Sequence, residues 1–136
     1  MKDFKGKIQY KGRVYDLVFD LNVLEQIQEE YGTIEKWGAL TDGKEVIKDE
    51  RGEPVLDEND EPKIREKEVD AKALKFGFWC MLNEGIDICN EDNGTELAHV
   101  TKNQVGRMIT EYGLAEASII VADTVINSAG SDEKNA

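Results

Sequence analysis

The side chains with most chemistry to offer are His99, Cys80, Cys89 and the carboxylates between Asp57 and Glu68. A hydrolytic triad needs a histidine oriented by a carboxylate beside a nucleophile. The single histidine, His99, stands directly before a helix cap and reads as a surface loop residue. As metal ligands, Cys80, Cys89 and His99 match no finger or ribbon spacing. Cys80 falls inside an apolar helical pattern and Cys89 in a polar loop, so both read as free thiols. Asp57, Asn59, Glu61 and Glu68 fill the first, third, fifth and twelfth places of a calcium loop, with Ile64 in the eighth. Pro62, however, takes the place of the glycine that such a loop needs for its sharp turn, and no helix flanks it. Gly77, Gly85, Gly94 and Gly106 are isolated and mostly near expected helix ends, which excludes a phosphate loop or dinucleotide fingerprint. The expectation is a protein that is not an enzyme, with no catalytic, cofactor-binding or metal-binding residue.

That leaves the aromatic residues as carriers of function. Trp37, Phe76 and Trp79 are core by default, but two tryptophans in a chain this small make them the candidate partner-binding residues. The apolar face of the last helix carries the same ambiguity. Charge narrows the partner. With 29 acidic and 17 basic side chains, the 136 residues have a formal charge of -12. A phosphate backbone or anionic membrane would meet repulsion rather than counterion release, so neither nucleic acid nor membrane is expected, and protein is. No apolar run approaches the roughly 20 residues that span a bilayer, and the start lacks a signal-peptide pattern, so the expected location is the cytoplasm. The length fits one domain, read as residues 1-130 with a flexible tail at 131-136.

The elements follow from hydrophobic period. Alternation on both sides of Lys11-Gly12 predicts a hairpin from Lys5 to Asp20, pairing Tyr10 with Arg13, Ile8 with Tyr15, Lys7 with Asp16 and Phe4 with Phe19. Its Phe4/Ile8/Tyr15/Leu17/Phe19 face should pack on helices. Leu24, Ile27 and Tyr31 recur at helical spacing behind Asn22 as N-cap and before Gly32 as C-cap. Thr33 caps a short helix with Ile34, Trp37 and Leu40 that Asp42-Gly43 ends. Residues 44-70 hold both prolines, 11 acidic and 6 basic side chains, and a weak repeat of period eight. Each copy reads as strand, acidic turn, strand, which predicts a solvent-projecting β-hairpin or loop excursion, with disorder the competing reading. Asp70 caps a central apolar helix, Leu74 through Leu82, expected to end near Gly85. Thr101 to Gln104 forms a capping box for a helix carrying Val105, Met108, Ile109 and Tyr112. A last helix follows from about Leu114 to Ser128, with Ile119, Ile120, Val121, Val125 and Ile126 as its apolar residues. The fold class is α+β: an N-terminal β-hairpin packed on a mainly helical domain.

Laid out this way, the chain resembles the tail assembly chaperones of long-tailed phages and prophages of Gram-positive bacteria. Three stretches carry the resemblance: Tyr15 to Asn22 running into the Leu24/Ile27/Tyr31 helix, Met81 to Asp87, and Leu97 to Ile109 with its Thr-Lys-Asn-Gln-Val-Gly-Arg core. The resemblance implies a non-enzymatic role in the bacterial host cell: binding the tape-measure protein, keeping it soluble and recruiting tail-tube proteins, with self-association possible. It also implies a longer minor product made by slipping back one base near the end of the gene, which codons for Glu133-Lys134-Asn135 permit. Two other classes remain open: a structural component of a head-tail or tail assembly, and an acidic DNA-mimic inhibitor.

Overall fold

Lys11 and Gly12 both have positive φ (50° and 77°), the geometry of a two-residue turn whose twist matches its strands. In the computed structural model, which describes the backbone of residues 5–134 and the side chains of residues 6–128, this turn joins β1 (Lys5–Tyr10) to β2 (Arg13–Val18). The register pairs Tyr10 with Arg13, Ile8 with Tyr15 and Lys7 with Asp16, as the alternation predicts. Ile8 and Leu17 are buried and Tyr15 and Phe19 half-buried, so one face of the hairpin is covered. The Phe4–Phe19 pair lies outside the described residues.

Five helices complete the fold: α1 (Leu21–Tyr31), α2 (Ile34–Thr41), α3 (Ala71–Asn93), α4 (Lys102–Tyr112) and α5 (Leu114–Lys134). Helix outnumbers strand, and the architecture is α+β. The N-cap of α1 is Asp20, not Asn22. Asp20 is extended and its carboxylate accepts from Val23 N at 3.1 Å, while Asn22 sends its amide to Glu84 at 2.9 Å. Val23 and Ile27 are accordingly the buried pair of α1, with Leu24 half-buried. Thr33, Asp70 and Thr101 cap their helices as expected, and Thr101 with Gln104 makes the reciprocal capping box.

α3 is the hub, packing on β2, α1, α2, α4 and α5. It does not end at Gly85 but runs eight residues further, to Asn93, with Gly94 as its left-handed C-cap. Glycine inside a helix costs about 1 kcal/mol against alanine, and close approach is what it supplies here. A Cβ on Gly85 would lie 2.5 Å from the carbonyl oxygen of Asp16, so the bare backbone lets β2 lie on α3. Gly77 makes the equivalent slot for the Trp37 ring. Gly106 is also interior to a helix, so three of the four glycines assigned mostly to helix ends are not there.

After Gly94 the chain doubles back along α3, held by two asparagines seven residues apart. Asn83 accepts from Val100 N (2.8 Å) and donates to Val100 O (3.1 Å); Asn90 does the same with Leu97 (2.9 and 3.1 Å). Each side chain thereby mimics a strand partner and satisfies backbone that would otherwise be stranded against the helix.

The segment between α2 and α3 is ordered β-structure rather than a disordered insert. β3 (Lys44–Val46) and β4 (Ile64–Glu66) form an antiparallel stalk, and isolated bridges Lys48–Pro54 and Leu56–Pro62 define two further arms. Where the arms meet, Ile47 N donates to Lys63 O, Lys63 N to Val55 O and Val55 N to Ile47 O, at 2.8–2.9 Å. Residues spaced by eight thus close a ring of three hydrogen bonds, the structural meaning of the period-eight repeat. The repeat extends to the tips, where Gly52 (φ 80°) and Asp60 (φ 61°) take the same left-handed position.

α5 continues to Lys134, so residues 131–134 are helical rather than part of a tail; the last two residues lie outside the description.

Candidate functional site

Among the described residues, His99, Cys80 and Cys89 occupy different environments. His99 is exposed on the returning loop, with Nε2 2.7 Å from Asp87 Oδ1. Cys80 lies in the same shallow depression of about 130 Å³, but it is buried and its thiol is pushed up to about 12 by that burial, so no thiolate nucleophile faces the imidazole at neutral pH. Cys89 sits on α3 rather than in a loop, because the helix outlasts Gly85, and Asn93 donates to its sulfur at 3.3 Å. Both cysteines are free thiols. Among the described residues no group of three or more His, Cys, Asp or Glu is placed to hold a metal.

The calcium-like spacing is turn architecture. Asp57 Oδ1 accepts from Asn59 N (2.8 Å) and Glu61 N (3.0 Å), and Asp49 Oδ1 does the same for Arg51 N (2.9 Å) and Glu53 N (3.0 Å). The two leading aspartates hold their own turns, and Pro62 sits in an arm opposite Leu56.

The three aromatic candidates separate. Trp37 is 2% exposed, its indole donating to Ala73 O at 2.9 Å while its ring fills the Gly77 slot, so it belongs to the core and not to a binding face. Phe76 and Trp79 are half-buried and 5.9 Å apart, and Tyr31 meets Phe76 edge-on at 5.6 Å. Lys102 crosses both rings, 4.8 Å from the Trp79 centroid, and the Trp79 indole donates to Val100 O. Burial, and then the charge of Asp70, raises the Tyr31 hydroxyl pKa. With stacking, cation–π and hydrogen-bond partners in place, this patch is largely satisfied within the chain.

α5 buries Ala117 and Val121 and half-buries Ile120 and Val125, yet it also leaves two isoleucines on its outer side. Ala117, Ser118, Val121, Thr124 and Ser128 point inward, while Ile119 and Ile126 are 54% and 64% exposed. Packing explains the small inner residues. α5 crosses β1 so closely that a Cβ on Gly6 would lie 2.3 Å from Thr124 Oγ1. Ser118 donates to Thr41 O at 2.6 Å and Ser128 to Phe19 O at 3.3 Å. At Thr124 the close approach of β1 leaves no room for a larger side chain. Ala115, Ile119, Ala122 and Ile126, spaced at helical intervals, form an outward apolar stripe next to the exposed Leu114.

This stripe borders a groove of about 510 Å³ whose far wall is Lys44 and Glu66 of the stalk with the following Lys67, Glu68 and Val69. Its α5 wall, from Leu114 to Ala122, is about two helical turns long, a length that suits an apolar helical ridge. The apolar pattern identifies the isoleucines of this helix without showing which face out. The only available signal was the small-residue set at 117, 118, 121, 124 and 128, which shares one face. No helix among the described residues is long and apolar enough to cross a membrane. No protein-family model, curated protein or solved structure matches the chain.

Proposed function

We propose that this protein is a phage tail assembly chaperone, acting in the bacterial cytoplasm without catalysis. It binds helical segments of the tape-measure protein along α5, keeps that protein soluble, and brings tail-tube subunits to it. The observation that carries the reading is the apolar stripe of α5, where exposed Ile119 lines a groove and exposed Ile126 continues the same face. Half-exposed isoleucines each gain roughly 1 kcal/mol when a partner covers them, enough for repeated weak contacts along a long helical protein and weak enough for release. The sequence resemblance over Tyr15–Asn22, Met81–Asp87 and Leu97–Ile109 supplies the partner's identity.

Co-expression with the neighbouring tape-measure protein tests it. The tape-measure protein should stay in the soluble fraction with the wild-type chain and pellet with Ile119→Ser/Ile126→Ser, whose substitutions are at exposed positions and leave the fold intact. If the double variant protects equally well, α5 is not the binding face. If the chain instead co-purifies with finished tails, it is a structural component and the chaperone reading is wrong.

A further inference from the structure

The three-armed excursion shares the groove, and its chemistry says what else the partner must carry. Lys44 and Glu66 are a cross-strand pair and both line the groove, whereas their neighbours Glu45 and Arg65, ion-paired at 2.7 Å, do not. Side chains alternate faces along a strand, so Val46 and Ile64 lie on the groove side too. The bridged pairs Lys48–Pro54 and Leu56–Pro62 stand next to the ring residues just as Val46–Ile64 does, which places them on that same face. All six are exposed, Leu56 at 50% and Ile64 at 59%, and five of the six are apolar. An uncovered apolar face on so charged a segment marks an interaction surface. Around it, residues 48–62 carry seven carboxylates (Asp49, Glu50, Glu53, Asp57, Glu58, Asp60, Glu61) against Lys48 and Arg51, a net charge of -5.

We infer that this excursion is the second wall of the α5 site and selects an amphipathic helix whose apolar stripe is flanked by lysine or arginine. The inference rests on α5 being the helix-binding face. Charge complementarity fixes the occupant: a second copy of this chain would set the same carboxylates against each other, whereas a helix seated against Ile119 meets Glu66 and Glu68 across the groove, on the excursion whose outer part carries the net charge of -5. The apolar pairs Val46–Ile64 and Leu56–Pro62 then cover the stems of the basic side chains while the tips meet their charges.

The test uses two synthetic helical peptides of about 18 residues, long enough to span the stripe. They share one leucine stripe, flanked by lysines in the first and glutamates in the second. The wild-type chain should bind the lysine peptide about tenfold tighter than its twin at low salt. Glu50, Glu53, Glu58 and Glu61 all changed to Gln should reduce that preference to about two- to threefold, Asp49 and Asp57 being left to hold the turns. Leu56→Ser/Ile64→Ser, at exposed positions, should weaken lysine-peptide binding about threefold or more. Equal affinity for the twins, no binding of the lysine peptide, or no effect of Leu56→Ser/Ile64→Ser overturns the inference. If these variants change nothing while Ile119→Ser/Ile126→Ser abolishes binding, the excursion falls and the α5 reading stands. If Ile119→Ser/Ile126→Ser also leaves peptide binding and tape-measure solubility unchanged, both fall.

Discussion

Gly85→Ala and Gly106→Ala should change stability in opposite directions, although both place alanine inside a helix. Propensity alone favours each by about 1 kcal/mol. At Gly106 the new Cβ meets Lys75 Cδ at 3.5 Å, an ordinary contact with a flexible chain, so most of that gain survives. At Gly85 it lies 2.5 Å from Asp16 O and 3.3 Å from Asp16 C, which is backbone of a paired strand. Relief requires β2 to move off α3 by several tenths of an ångström, disturbing Leu17, which is fully buried against the helix. Overpacking of this kind costs about 1–3 kcal/mol, and because the obstacle is backbone we take the upper half: a net loss of about 1–2 kcal/mol after the propensity gain. Urea unfolding followed by far-ultraviolet circular dichroism measures both, with an unchanged m-value showing that the unfolded state is not the cause. Gly85→Ala as stabilising as Gly106→Ala would refute the account of α3 as a helix kept bare for the hairpin.

Asn83→Ala leaves Val100 N unpaired against α3, Val100 O keeping the Trp79 indole, and should cost about 1–3 kcal/mol, more than Asn90→Ala, whose clamp on Leu97 is exposed and water-replaceable; thermal unfolding of the two ranks them. Glu84 is raised from 4.5 to about 7 by its hydrogen bond with Asp20 and then by burial. It therefore contributes stability that is complete below about pH 4.5 and lost as pH rises through 7, reduced by solvent to about 1 kcal/mol or less, and Glu84→Gln should flatten that part of the pH–stability curve. Asp60→Gly relieves a left-handed non-glycine residue at the place its repeat partner Gly52 fills with glycine; the expected gain is a few tenths of a kcal/mol, read as a higher melting temperature, and a lower one would contradict the equivalence of the two tips.

Local pattern reached most of the secondary structure because it is set locally. The hairpin register follows from the Lys11-Gly12 turn, and three caps follow from one side chain each. The errors have a common origin in distant contacts. Gly85 reads as a helix end unless β2 is known to press on it. Asn22 reads as a cap unless Glu84 is known to draw its amide away, and Cys89 reads as loop only because the helix was stopped too soon. The period-eight repeat was visible in the excursion, but a ring joining three positions cannot be read from two copies aligned in sequence.

The site was less legible than the fold, for a reason that bears on function. The three stretches that carry the family resemblance meet around the middle of α3: Asp16 O against Gly85, Asn22 on Glu84, Asn83 on Val100 and His99 on Asp87. The side chains in these contacts are engaged within the chain, so the surface that would meet a partner has to be sought elsewhere. Trp37, chosen as a binding candidate for its size, is absorbed by that same core. Ile119, Ile126, Leu56 and Ile64 are among the exposed apolar side chains, which also include Val14 and Leu21, and these four stand on two elements that border one groove. Leaving them uncovered gives no stability to the isolated chain, so if the proposed helix-binding role holds, changes at these four positions should alter binding while leaving unfolding within about 0.5 kcal/mol of wild type.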